Sequence, residues 1–151
     1  MLTKQAFDDG QAALLHHWTK DDTSWLVTEI GRQPTKEELV SYIQTYVGIG
    51  CEWTKWMHND EPVAISCVHP SASSNMKPWI GTIVVKPGCR KQGFGRAVIE
   101  AHRKTMQNVI FAGLPYEHIE WSLFLSKCGF EQYGIEEEDG KKYLIMVIPD
   151  S

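Results

Sequence analysis

The sequence predicts a mixed α/β fold: a mostly antiparallel central sheet with helices on both faces. Three observations predict it. Residues 51–85 carry apolar residues at the alternating period of strands, interrupted by turn-forming residues. Three separate stretches carry apolar residues at helical spacing. Trp79–Lys104 then reads as a strand, a glycine-bearing loop and a helix in immediate succession. A length of 151 residues corresponds to one domain, 1–151, large enough for a core without disulfide staples.

Taken in order, residues 1–8 carry a weak first strand. Gln11, Leu14, Leu15 and Trp18 make a helical stripe with Asp8 or Asp9 as its cap, and a second short helix is expected over residues 23–30. Thr35 and Glu38 form a capping box that opens a helix to Val47, with Leu39, Tyr42, Ile43, Tyr46 and Val47 on its apolar face and Gly48 as its C-terminal cap. Cys51–His58 and Pro62–His69 alternate as strands around an Asn59-Asp60-Glu61 turn. Ile80, Thr82, Ile83, Val84 and Val85 give a third strand, which Pro87 and Gly88 end. Phe94, Ala97, Val98 and Ala101 define one face of the next helix. A short strand at 108–114, a helix over 117–127 ended by Gly129, and a closing hairpin across Glu138-Asp139-Gly140 complete the chain.

The loop Arg90-Lys91-Gln92-Gly93-Phe94-Gly95-Arg96 carries the clearest chemistry. A helix N-terminus leaves backbone N–H groups unpaired and holds partial positive charge, and glycines let an anion approach the backbone. Arg90, Lys91 and Arg96 add cations where the helix dipole disfavours them, a placement that makes sense around a bound anion. A solvated basic loop is the other reading of the local pattern. Gly88-x-x-x-x-Gly93 has the spacing of a P-loop, but Phe94-Gly95 stands where Lys-Ser/Thr is required. Val98 stands where the dinucleotide fingerprint wants Gly or Ala.

Arg90-Lys91-Gln92-Gly93-Phe94-Gly95, preceded by Val85-Lys86-Pro87, resembles the Arg/Gln-x-x-Gly-x-Gly/Ala signature of the GNAT N-acyltransferase superfamily. Leu125-Ser126-Lys127-Cys128-Gly129-Phe130 is similar to that family's Tyr-x-Lys-x-Gly-Phe helix end. The resemblance spans residues 52–148 and implies the acyl-CoA N-acyltransferase fold. It implies acetyl-CoA as cosubstrate, with the pantetheine arm along Ile83, Val84 and Val85 and the pyrophosphate on the amides from Lys91 to Arg96, through Gln92, Gly93, Phe94 and Gly95. Arg90 supplies charge beside them. It further implies direct transfer of acetyl to a primary amine, with a general base, a strand amide that polarises the thioester and a tyrosine that reprotonates the thiolate.

The departures from that pattern are specific. Leu125 stands in the place of the tyrosine, His118 in the place of an asparagine, Trp121 in the place of a small residue, and Trp79 where some members carry a glutamate base. Tyr116 is the replacement candidate for the acid; His69, or else Glu52, for the base. His118 reads better as a helix-start residue, Cys89 as incidental, and Trp25, Trp53 and Trp56 as core. A thiolate is a fair leaving group unaided, so the missing tyrosine leaves transfer feasible. A silent GNAT domain that binds CoA or a protein partner without transfer is the alternative.

Composition bounds the partners. A net charge of −4 gives nucleic-acid binding no electrostatic support. The four cysteines lack metal-ligand spacing, so no metal is expected and the thiols are read as reduced, in a cytoplasmic protein. The chain shows neither the apolar core of a signal peptide nor a run long enough for a membrane span. The expected acceptor is a small-molecule or peptide amine, and homodimers are frequent in the family.

Overall fold

A computed structural model describes residues 2–7, 12–19, 32–72, 75–90, 92–106 and 109–149. The helix expected over 23–30, with Trp25, lies outside the described residues, as do Asp8, Asp9, Gln11 and Lys91. The elements are β1 (Thr3–Ala6), α1 (Ala12–Trp18), α2 (Lys36–Gly48), β2 (Glu52–His58), β3 (Glu61–His69), β4 (Trp79–Val85), α3 (Phe94–Thr105), β5 (Ile110–Pro115), α4 (Ile119–Lys127), β6 (Glu131–Glu138) and β7 (Lys141–Ile148). Among the described residues, the seven strands form one sheet in the order β1-β2-β3-β4-β5-β7-β6. Every neighbouring pair is antiparallel except β4 and β5. The expected mixed sheet, meander and closing hairpin are all present.

Two tight turns set the hairpin registers. Asn59 and Asp60 join β2 to β3 with φ of 50° and 64°. Asp139 and Gly140 join β6 to β7 with φ of 52° and 79°. Two successive positive φ values match the right-handed twist of the strands they connect, which is why Asn, Asp and Gly occupy these positions.

Helix ends follow from their caps. The Thr35 hydroxyl accepts from the Glu38 N–H at 3.1 Å, and the Glu38 carboxylate accepts from the Thr35 N–H at 3.0 Å. Gly48 is not the cap: α2 runs through it, and Gly50 takes the left-handed φ of 97°. The Gly50 N–H then donates to the Val47 carbonyl and the Cys51 N–H to that of Tyr46. α4 ends by the same closure around Gly129 at φ 103°, with Phe130 N–H donating to Leu125 O at 3.0 Å. Buried Phe130 then packs in the same apolar cluster as Leu125, so Gly129-Phe130 is a helix stop with its hydrophobic contact attached.

The core has a layer on each face of the sheet. α1 and α2 cover one face, where Leu15, Trp18, Leu39, Trp53, Ile65 and Val84 pack. α3 and α4 cover the other, over Val68, Ile80, Ile83, Ile110, Leu125 and Met146. The buried face of α3 is Gly95, Val98, Ile99 and His102, one residue round from the expected Phe94, Ala97, Val98 and Ala101; Ala97 is exposed. Two contacts turn the helix. A Cβ on Gly95 would lie 2.9 Å from Phe124 Cζ, so the helices approach where that side chain is missing. His102 is received in the core by the Ser66 hydroxyl at 2.8 Å.

Candidate functional site

β4 and β5 pair over only two positions, Trp79 with Phe111 and Ile80 with Ala112, and then part. β3 continues beside β4 to Val85, and β7 continues beside β5 to Pro115, so each strand keeps its outer neighbour while the inner pairing is lost. The register of β3 passes from Val68 opposite Ile80 to Cys67 opposite Thr82, leaving Gly81 as an extra residue on β4. This bulge reverses the alternation along the strand: Ile80 and Ile83 reach the same core layer. It also sets the backbone direction. The Lys86 N–H donates to Val63 O at 2.8 Å, toward β3. Counting back by alternation, the amides of Val85 and Ile83 therefore point into the gap beside β5.

A cavity of about 360 Å³ opens at this gap. Ile83, Val84 and Val85 of β4 form one wall. Cys89, Arg90, Gly93, Phe94, Gly95 and Arg96 form its rim, and Glu120, Trp121 and Phe124 of α4 close it. Gly93 is the N-terminal cap residue of α3, at φ 83°; among the described residues, none beyond its chain neighbours comes within 4 Å of where its side chain would start, and no side chain caps the helix. The first-turn N–H groups thus face an open approach. The Arg90 side chain folds back, its Nε–H donating to Val85 O at 3.3 Å, and Arg96 is exposed. The cavity therefore joins an apolar trough, with strand amides along one wall, to an electropositive helix start.

Of the residues read from the sequence, the structure brings Ile83, Val84, Val85, Arg90, Gly93, Phe94, Gly95 and Arg96 to this one cavity. Gln92 is exposed and donates from its side chain to Gly88 O at 3.4 Å, outside the cavity lining. Tyr116 and His69 do not line it. Tyr116 follows β5, half exposed, and its backbone N–H donates to Lys142 O. His69 ends β3 opposite Trp79, at the closed end of the gap. Its Nδ1 accepts from the Ser71 N–H at 3.3 Å, which in the neutral ring leaves the proton on Nε2. Glu52 is exposed at the start of β2. His118 caps α4, its Nδ1 accepting from the Trp121 N–H at 3.4 Å. Leu125 is fully buried.

The sequence reading missed Phe124 and Glu120 as cavity walls. Phe124 sits among helical apolar spacings that read as core, and its partner is a glycine, which leaves no side-chain pattern to see. Cys128 is buried in the core beside this wall, and burial pushes its thiol up, with Arg96 lowering it and Glu100 raising it.

The chain matches the family model described as "Acetyltransferase (GNAT) family" over residues 12–130. It is 38% identical over 129 residues to the uncharacterized protein YkzC of Bacillus subtilis (strain 168), covering 83% of this chain and 88% of that one. Among solved structures it is similar to aminoglycoside acetyltransferase AAC(6')-Ib in complex with coenzyme A, with a TM-score of 0.77, 16% identity, and coverage of 97% of this chain and 94% of that one. An acetyltransferase from Thermus thermophilus superposes with a TM-score of 0.76 at 18% identity, over 97% of this chain and 96% of that one. The ribosomal-protein-S18-alanine N-acetyltransferase from Escherichia coli does so with a TM-score of 0.69 at 15% identity, over 100% and 95%.

Proposed function

Because the chain belongs to the acetyltransferase (GNAT) family, we propose that it moves the acetyl group of acetyl-CoA directly onto a primary amine. The observation that carries this reading is the parting of β4 from β5 beside the open N-terminus of α3. The strand amides of Ile83 and Val85 suit the carbonyls of a pantetheine arm, which would lie along them as an added strand does. The amides of Phe94, Gly95 and Arg96 suit a pyrophosphate, with Gly93 opening the approach and Arg90, Gln92 and Arg96 nearby. Lys91 is assigned to the same anion on the sequence alone. The acetyl group then reaches the bulge at Gly81, where a strand amide polarises its carbonyl. The amine nitrogen attacks that carbon, the C–S bond breaks, and CoA leaves as a thiolate. We assign the ammonium proton to His69 and the thiolate's new proton to Tyr116. Since neither lines the cavity, Tyr116 acts through water or after its side chain moves, and His69 takes the proton only once its Nδ1 has released the Ser71 N–H. A small-molecule acceptor is consistent with related structures that hold paromomycin or ribostamycin.

Thermal unfolding with and without acetyl-CoA tests the cosubstrate. Acetyl-CoA is expected to raise the melting temperature of the wild-type chain and not that of a Gly93→Val, Arg96→Ala double variant. An unmoved wild-type melting temperature would overturn the reading. One observation favours a second reading, a domain that holds CoA without transferring from it: the position of the family's proton-donating tyrosine is a buried leucine. Stabilisation by acetyl-CoA with no thiol release across a panel of amines would select that reading.

A further inference from the structure

On the face of β5 and β7 opposite α4 lies a cluster that the CoA cavity does not use. Phe111 and Ile145 are buried in it, with Trp79 and Tyr143 packed against them. The rings of Trp79 and Phe111 stack with centroids 5.0 Å apart and planes at 22°. Tyr133 meets Phe111 edge-on at 5.2 Å while remaining 67% exposed. The cluster thus ends in an open aromatic surface.

Its position gives it meaning. Trp79 and Phe111 are one of the two register pairs that hold β4 to β5, immediately before the strands part. Trp79 also leans over the parting itself: a Cβ on Gly113, the first β5 residue beyond the paired stretch, would lie 3.7 Å from Trp79 Cζ3. The indole is held there by its Nε1–H, which donates to Asn75 Oδ1 at 3.0 Å. α4 and the trough lie on one side of this gap, and the rings lie on the other.

We propose that Trp79, with Phe111 and Tyr133, selects the acceptor, and that the acceptor is an amine carried on a flat aromatic ring. This rests on the acetyl transfer proposed above. A nitrogen that attacks from the side opposite the trough reaches the gap past Trp79, so the body behind that nitrogen rests against the rings. A planar π-system gains offset or edge contact there, whereas a puckered ring of equal size gains only apolar contact. Carboxylates stand beside the cluster on β6, Glu131 opposite Val147 and Glu136 opposite Tyr143, so the preference for a flat apolar body rests on the stacked and edge-on rings.

The test compares 2-phenylethylamine with 2-cyclohexylethylamine, two acceptors of similar size and basicity that differ in planarity. Thiol release from acetyl-CoA is measured on the full chain. The phenyl compound is expected to show a kcat/KM about three- to tenfold higher, the range of one aromatic contact. Trp79→Leu should equalise the two acceptors without changing KM for acetyl-CoA, and Trp79→Phe should keep the preference. Equal use of both amines by the wild type, a preference for an aliphatic diamine, a Trp79→Leu loss shared equally by both acceptors, or no transfer to either amine would overturn the proposal. Failure of acetyl-CoA to bind at all would instead strike the acetyltransferase reading beneath it.

Discussion

A buried histidine ties β2, β3 and α3 together. His102 is 7% exposed, and its Nε2 lies 2.8 Å from Ser66 Oγ, which also accepts the Trp56 indole N–H at 2.8 Å. A hydroxyl that accepts from an indole keeps one proton and one lone pair, so it meets His102 Nε2 in either neutral tautomer. The Trp56 ring stands edge-on to the imidazole at 5.3 Å. Burial, reinforced by the charge of Lys4, lowers the imidazole pKa from its ordinary 6.5 to about 4. Between those values the unfolded chain binds a proton that the folded chain refuses. The stability contribution is therefore complete above pH 6.5 and is lost as pH falls toward 4. From about pH 7.5 to about pH 5 the urea unfolding free energy is expected to drop by about 2 kcal/mol on this account. His102→Gln keeps a hydrogen-bonding side chain without titrating there, and its profile should be flatter over that interval. An equal drop in both proteins would refute the assignment.

Helix boundaries show how far local pattern carries. The capping box at Thr35 is legible in the sequence because both partners are side chains at fixed spacing. The stop at Gly129 is legible because glycine and its apolar follower stand together. Gly48 and Gly50 are not told apart by pattern, because both can adopt the left-handed conformation and the choice depends on where β2 must begin. The face of α3 is displaced by one residue because its contacts run through a glycine and a histidine, neither of which counts as apolar in a periodicity. At Gly129 the test separates strain from crowding. The nearest atom to an added Cβ is 4.0 Å away, so Gly129→Ala should cost about 1–2 kcal/mol through φ alone. Gly129→Asn should cost less, since asparagine tolerates that conformation. Chemical denaturation of the three proteins measures both, and an alanine variant as stable as wild type would contradict this account.

At the scale of the whole sheet, the strand periods foretell β2 to β7 and both hairpins, and β1 only weakly, but not where pairing stops. That β4 and β5 part follows only from the family resemblance, and that they do so after two positions only from the structure, because a strand's sequence carries no mark of a missing neighbour. The bulge at Gly81 is equally silent: an extra residue shows only against the register of β3. The gap makes a prediction at this scale. Backbone amides of Ile83 and Val85 should exchange with deuterium faster than those of Ile65 and Cys67 on β3, and acetyl-CoA should slow them selectively. Uniform protection along β4 in the free protein would show that the amides already have partners.

The two-position joint also has a kinetic side. β2–β3 and β6–β7 close across two-residue turns from contacts local in sequence, events of the microsecond class. β4 and β5 must instead meet across residues 86–109, with α3 between them, and hold by the shortest pairing in the sheet. Loop closure of that length is repaid only by contacts that form once α3 and α4 dock on the sheet. The halves of the sheet are thus expected to assemble separately and join last. An early folding species would be two small sheets, each baring the strand edge on which the finished protein builds its cavity.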